Sequence, residues 1–217
     1  MFDRKLIFFA IFALTLCTVD AQTSESSRGR MSFSGYSGGM MIHTGYVQGS
    51  PFSLTMPDGH NTVEMKMKGV PYGIGGTVKL QFGKHLRAGF EGYVTTLNYG
   101  GNGCHESIGW GGLLADCVWM FGKWTIFAGG TVGGGSVKNL TLLEKPDSDF
   151  LVENATTSYR KYGFVALTPF VGVEYAVLER IHLVLKTDGL FNVSNFQPDF
   201  VTGPRIYFGV MFCHLKQ

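Results

Sequence analysis

Residues 70–83 read VPYGIGGTVKLQFG, and their alternation decides the fold. The even positions are Val70, Tyr72, Ile74, Gly76, Val78, Leu80 and Phe82, apolar or aromatic but for one glycine. The odd positions are Pro71, Gly73, Gly75, Thr77, Lys79, Gln81 and Gly83, all small, polar or cyclic. Successive side chains of a β-strand point to opposite faces, so a two-residue period marks a strand with one greasy face.

The same period recurs outward from this stretch. In 86–98, Leu86, Ala88, Phe90 and Val94 oppose Arg87, Glu91, Tyr93 and Thr95. In 110–121, Leu113, Ala115, Cys117, Trp119 and Phe121 oppose a face containing Asp116. In 124–137, Trp124, Ile126, Ala128 and Val132 oppose Thr125, Gly129 and Thr131. In 163–177, Val165, Leu167, Val171, Val173, Tyr175 and Val177 oppose Thr168, Gly172 and Glu174. In 181–191, Ile181, Leu183 and Leu185 oppose His182, Lys186 and Asp188; in 205–213, Ile206, Phe208, Val210 and Phe212 share one side. A glycine-broken stretch over 32–47 makes eight, with its register blurred by the consecutive Met40, Met41 and Ile42.

Tight turns near 83–85, 122–123 and 178–180 alternate with longer polar loops near 48–69, 99–108, 138–161 and 192–204. An even strand number, with short turns at one end and long loops at the other, is the plan of an outer-membrane barrel. The fold expected is therefore all-β: an eight-stranded antiparallel up-and-down transmembrane β-barrel, with both termini at the short-turn, periplasmic end.

Sidedness separates a membrane barrel from a soluble lipocalin-like carrier, which has the same alternation with its charges outside. The minority face carries Lys79, Arg87, Glu91, Asp116, Glu174, Lys186, Asp188 and Arg205, four cations and four anions. Such a face is sparse for an exterior in water and suits a charge-balanced polar interior. Eight strands leave a lumen just wide enough for side chains, which forces those groups into contact. Tyr72, Phe82, Trp119, Phe121, Trp124, Tyr175 and Phe208 lie on the apolar face, several near strand ends where interfacial aromatic girdles form.

The first residues read as an export signal. Arg4 and Lys5 precede an apolar run from Leu6 to Leu16, and Val19-Asp20-Ala21 is a small-residue cleavage motif. Residues 1–21 are thus expected to be a signal peptide and 22–217 the barrel, located in the cell outer membrane. The run is too short to span a bilayer. The chain of 217 residues has 16% charged residues and a net charge of +2, too weak a balance for a nucleic-acid partner.

Tyr36-Ser-Gly-Gly-Met-Met-Ile-His-Thr-Gly-Tyr46, Trp110-Gly-Gly-Leu-Leu-Ala-Asp116 and Gly203-Pro-Arg-Ile-Tyr-Phe-Gly-Val-Met-Phe212 carry a family resemblance. The sequence resembles the small outer-membrane β-barrel families, such as the transmembrane domain of outer membrane protein A, and looks closest to barrels of Bacteroides-like Gram-negative bacteria. That resemblance implies a fold; it names no ligand. Many such barrels end on an aromatic residue, whereas here Phe212 is followed by Cys-His-Leu-Lys-Gln.

Chemistry-bearing motifs are few. His105-Glu106-Ser107, in the loop expected over 99–108, is the one compact trio with hydrolase chemistry, but neighbours on an extended chain point in alternating directions. Cys104-His105 offers two metal ligands, short of a site. Cys104, Cys117 and Cys213 lie beyond the signal with no CxxC spacing, so at most one pair of them forms a disulfide. Gly133-Gly-Gly135 lacks the lysine and helix of a phosphate loop. His43, His182 and His214 are scattered on strands, and Asn139, Asn154 and Asn192 open chance glycosylation patterns. No cofactor, metal or catalytic group is expected. The loop over 138–161, with Glu144, Lys145, Asp147, Asp149, Glu153, Arg160 and Lys161, is the expected surface for a ligand. The leading expectation is a non-enzymatic structural or surface-binding protein with a plugged lumen in contact with outer-membrane lipid; an outer-membrane lipid-modifying enzyme and a soluble lipocalin-like carrier are the alternatives.

Overall fold

A computed structural model of the chain describes residues 32–55, 62–100, 103–142, 157–194 and 196–215. The expected signal peptide lies outside them. Eight long strands form the body: β1 (Phe33–Gly45), β2 (Tyr72–Phe82), β3 (Leu86–Tyr99), β4 (Cys104–Phe121), β5 (Trp124–Leu142), β6 (Thr157–Leu178), β7 (Ile181–Gly189) and β8 (Pro204–Leu215). Each pairs antiparallel with its sequence neighbours, and β1 pairs with β8, which closes the ring. Closure leaves none of the eight strands as the edge of an open sheet, the condition for crossing hydrocarbon.

The register fixes the geometry of the cylinder. Following directly opposed residues from Val171 passes through Thr187, Ile206, Thr44, Tyr72, Thr96, Ser107 and Lys138 and returns to β6 at Lys161. That is a stagger of ten residues around eight strands. Set against the usual strand rise and spacing, it tilts the strands by about 40° and gives a backbone cylinder roughly 8 Å in radius.

The alternation read from the sequence is realised on all eight strands. Ile42, Val78, Phe90, Leu113, Val132, Val171, Leu185 and Phe208, one per strand, are all exposed on the outer wall. Soluble monomers rarely expose a contiguous apolar surface of more than a few hundred Å². Here the band runs right round the barrel, and the eight charged residues of the minority face point inward. That sidedness is opposite to a soluble carrier's. Phe33, Tyr36, Phe121 and Trp124 are exposed near the short-turn end, where Trp124 stacks against Tyr175 with ring centroids 4.6 Å apart; Tyr46 and Tyr72 are exposed near the other end. In the first strand Met40 and Ile42 face out and Met41 faces in, which settles the blurred register.

Two expectations about connections are corrected. The loop expected over 99–108 is corrected at both ends, since β3 runs to Tyr99 and β4 starts at Cys104. Gly100 and Gly103 have φ of 70° and 86°, a left-handed backbone that glycine adopts without strain. The loop expected over 138–161 is shorter, because β5 continues to Leu142 and β6 begins at Thr157; Glu144, Lys145, Asp147, Asp149 and Glu153 lie outside the described residues. The segment between β1 and β2 contains its own hairpin, Phe52–Thr55 with Thr62–Met65, and the pair Val47–Gln48 with Lys68–Gly69.

Candidate functional site in the lumen and mouth

Alternation sends the inward residues of all eight strands into one narrow space, and the eight charged residues singled out from the sequence are all buried there. They form two groups of two cations and two anions. Nearer the short turns, Asp116 of β4 accepts from Lys79 Nζ at 2.6 Å and from Arg87 Nε at 2.7 Å, and Arg87 Nη1 reaches across the lumen to Glu174 at 2.8 Å. His182 Nδ1 lies 3.7 Å from the other oxygen of Glu174. In the second group, Lys186 contacts Glu91 at 2.6 Å and Asp188 at 3.8 Å, and Arg205 contacts Asp188 at 2.8 Å. Thr131 and Tyr93 also donate to Glu91. Unpaired, any of these charges would be costly at this burial; paired and hydrogen-bonded, they are tolerated.

Rings fill the space between the groups. Phe170 lies 5.7 Å from Lys79 Nζ and 4.6 Å from Lys186 Nζ, so one ring faces a cation of each group. Lys186 also sits over Tyr93 and Tyr207, and Arg205 over Trp110. Cation–π contacts of this kind strengthen when desolvated. Of these inward rings, the alternation places Tyr93 on the minority face, and the structure adds Trp110, Phe127, Phe170 and Tyr207. Their room comes from glycines on adjacent strands. A Cβ at Gly172 would fall 2.3 Å from the Phe127 ring, and one at Gly75 would fall 2.2 Å from the Tyr93 ring. Large residues on one strand lie over bare backbone on the next, a pairing visible only once the register is known.

Toward the long-loop end the lumen meets a lid of loop residues. Met67 is fully buried, and Phe52, Phe200 and Val201 are buried with it. The segment after β1 and the segment before β8 are laced together by backbone bonds, Gln48 N to Thr202 O at 2.8 Å, Thr202 N to Gln48 O at 3.0 Å and Ser50 N to Pro198 O at 3.0 Å, and Gly49 N to Met67 O at 2.8 Å closes the first segment on itself. Arg160 is on β6, where its Nη1 lies 2.9 Å from the buried Asp199 and its Nη2 donates to Gln197. Arg160→Ala is therefore expected to loosen the segment before β8. Backbone amide exchange of Phe200 and Thr202 should speed up severalfold while that of β3 and β4 stays unchanged; equal rates would show that the ion pair does not hold the segment.

The hydrolase trio is divided by the strand it lies on. Glu106 is buried in the lumen, and neither carboxylate oxygen has a hydrogen-bond partner among the described residues; His105 and Ser107 are on the outer side. A small cavity with room for about one water is lined by Glu106, Thr95 and Arg205. His43 shares a 2.8 Å hydrogen bond with Thr95, and His214 stacks on Tyr36 at the outer wall. Cys104 and Cys213 are buried free thiols. Asn139 is buried and bonded to Tyr99.

An apolar belt around a closed ring, with paired charges inside, matches one solvent, a bilayer. Single-chain antiparallel barrels of this build lie in the bacterial outer membrane. No protein-family model and no curated protein matches the sequence. Solved structures are similar in strand arrangement. One is Ail, the attachment invasion locus protein of Yersinia pestis, in complex with the heparin analogue sucrose octasulfate; it is 12% identical, over 83% of this chain and 99% of that one, with a TM-score of 0.46. Neisserial surface protein A is 14% identical, over 80% and 96%, with a TM-score of 0.45. The outer membrane protein OprG from Pseudomonas aeruginosa is 14% identical, over 84% and 97%, with a TM-score of 0.43.

Proposed function

We propose that this chain is a non-enzymatic outer-membrane barrel whose lumen is plugged by its own side chains, and that it serves a structural or surface-binding role at its long-loop end. The observation that carries this reading is the pair of neutral ion-paired groups spanning the lumen with Phe170 between them. An ion entering would have to displace charges that already satisfy one another. A roughly 8 Å backbone radius leaves little else. The working surface is then the exterior and the connections between β5 and β6 and between β7 and β8. No catalytic role falls to His105, Glu106 and Ser107, since the wall of β4 separates the middle residue from its neighbours.

Planar-bilayer recording of the refolded barrel tests the plug. Conductance is expected to stay at baseline, and sustained steps of uniform size would rule out a sealed lumen. Whole-cell protease treatment is expected to cut first between Leu142 and Thr157. Lipid A of unchanged mass on deletion and on overexpression is expected; a shifted mass would restore the lipid-modifying alternative.

A further inference from the structure

The ladder between β5 and β6 sets Lys138 directly opposite Lys161. Both are exposed on the outer wall, and directly opposed residues hold their Cβ atoms about 5 Å apart. Among the described residues neither lysine makes an ion pair. Like charges facing each other weaken a ladder, and no described carboxylate compensates them; a local rule broken in this way is expected at a functional position.

The surroundings suit an anion. Ser107 of β4 is directly opposite Lys138 on its other side, and Ser136, two residues along β5, is flanked by Gly109 and Gly163. None of β4, β5 and β6 presents a carboxylate on its outer face, because Glu106, Asp116 and Glu174 all point inward. Small neighbours border the two lysines on the membrane side, while His105, Leu140 and Tyr159 border them toward the long loops.

Height above the apolar band chooses the anion. Val165 is outward and exposed on β6, and Lys161 lies four residues nearer the long-loop end. At a strand tilt of about 40° that is about 10 Å along the membrane normal, in the headgroup layer of the outer leaflet.

We propose that Lys138 and Lys161 together bind a phosphate on the headgroup of an outer-leaflet lipid, with Ser107 and Ser136 donating hydrogen bonds to it. The phosphate cancels the repulsion between the opposed lysines, and the acyl chains of the same lipid lie against Leu113, Val132 and Val165 just below. This rests on the barrel's place in the outer membrane and not on the plugged lumen.

The test uses the folded barrel in dodecyl maltoside micelles, titrated with diphosphoryl lipid A and read by native mass spectrometry. The wild-type barrel is expected to retain the lipid. The double variant Lys138→Gln, Lys161→Gln is expected to bind about 30-fold more weakly, from the usual contribution of a lysine at an anionic surface, and Lys161→Gln alone about fivefold more weakly. Lys138→Arg should bind as the wild type does, and fully dephosphorylated lipid A should bind no better than the double variant binds the phosphorylated form. A heat-shifted band on gels verifies that each variant is folded; should the double variant fail to fold, Lys161→Gln decides. Equal affinity of wild type and variant would overturn the proposal, as would indifference to the phosphates. Displacement of the lipid by inorganic phosphate at equal concentration would show a free-ion site in place of a lipid site.

Discussion

Asp116→Asn is expected to destabilise the folded barrel by about 3–5 kcal/mol, the usual cost of removing one partner from a buried ion pair. Asp116 is wholly enclosed and accepts from both Lys79 and Arg87, the latter through Nε at 2.7 Å and Nη2 at 3.1 Å. Asparagine keeps the shape and one acceptor, yet leaves two cations facing the single charge of Glu174. The closest rings, Phe127 and Phe170, soften that excess without neutralising it. Urea unfolding in micelles, followed by tryptophan fluorescence, measures the loss. Adding Lys79→Met restores a neutral group and is expected to recover more than half of it, because a buried pair replaced by apolar groups is often neutral in stability. A loss under about 1 kcal/mol for Asp116→Asn would show that the group is wet and screened, and would undercut the plugged lumen as well.

Gly75→Val is expected to prevent the barrel from closing. A Cβ there would lie 2.2 Å from the carbonyl oxygen of Gly92 and 2.2 Å from Tyr93 Cδ1. The oxygen belongs to the ladder between β2 and β3 and cannot retreat without breaking it. The Tyr93 ring is hemmed in by His43, Trp110 and Tyr207, with centroids 5.7, 5.4 and 4.8 Å away. Overpacking of this kind typically costs about 1–3 kcal/mol, and the clash with backbone places this variant at or above the upper end. The expected readout is loss of the heat-resistant folded band. Gly109→Val is the matched control, because nothing lies within 4 Å of a Cβ at that position on the outer wall; it should fold normally. A folded Gly75→Val barrel would mean that β2 and β3 are farther apart than described.

Much of this architecture was legible before any coordinates. Strand alternation is a property of the local backbone, so Lys79, Gln81, Arg87 and Glu91 could be assigned to one face from their positions alone. The short turns at Gly83 and Gly122 carried their own signature, since both adopt the left-handed backbone that tight turns require. The same glycine signal stands in Gly100-Gly-Asn-Gly103, and it places Cys104 and Glu106 on a strand with Glu106 inward. Polar composition alone assigns Lys138 and Lys161 to a loop, whereas the ladder between two strands brings them face to face.

By itself, then, the sequence determined eight strands, their sidedness, the membrane-facing band and the eight inward charges. All of these follow from a two-residue period and its interruptions. Only the tertiary structure decided which charges meet. Arg87 and Glu174 are separated by 87 positions, and Lys186 and Glu91 by 95. Their contacts depend on the ten-residue stagger of the closed ring, a quantity no single strand contains. The same closure set Tyr93 over Gly75, laced the segment around Gln48 to Thr202, and left two lysines opposed on the outer wall. Pleat is local and stagger is global, and that difference separates what could be read along the chain from what had to be folded to be seen.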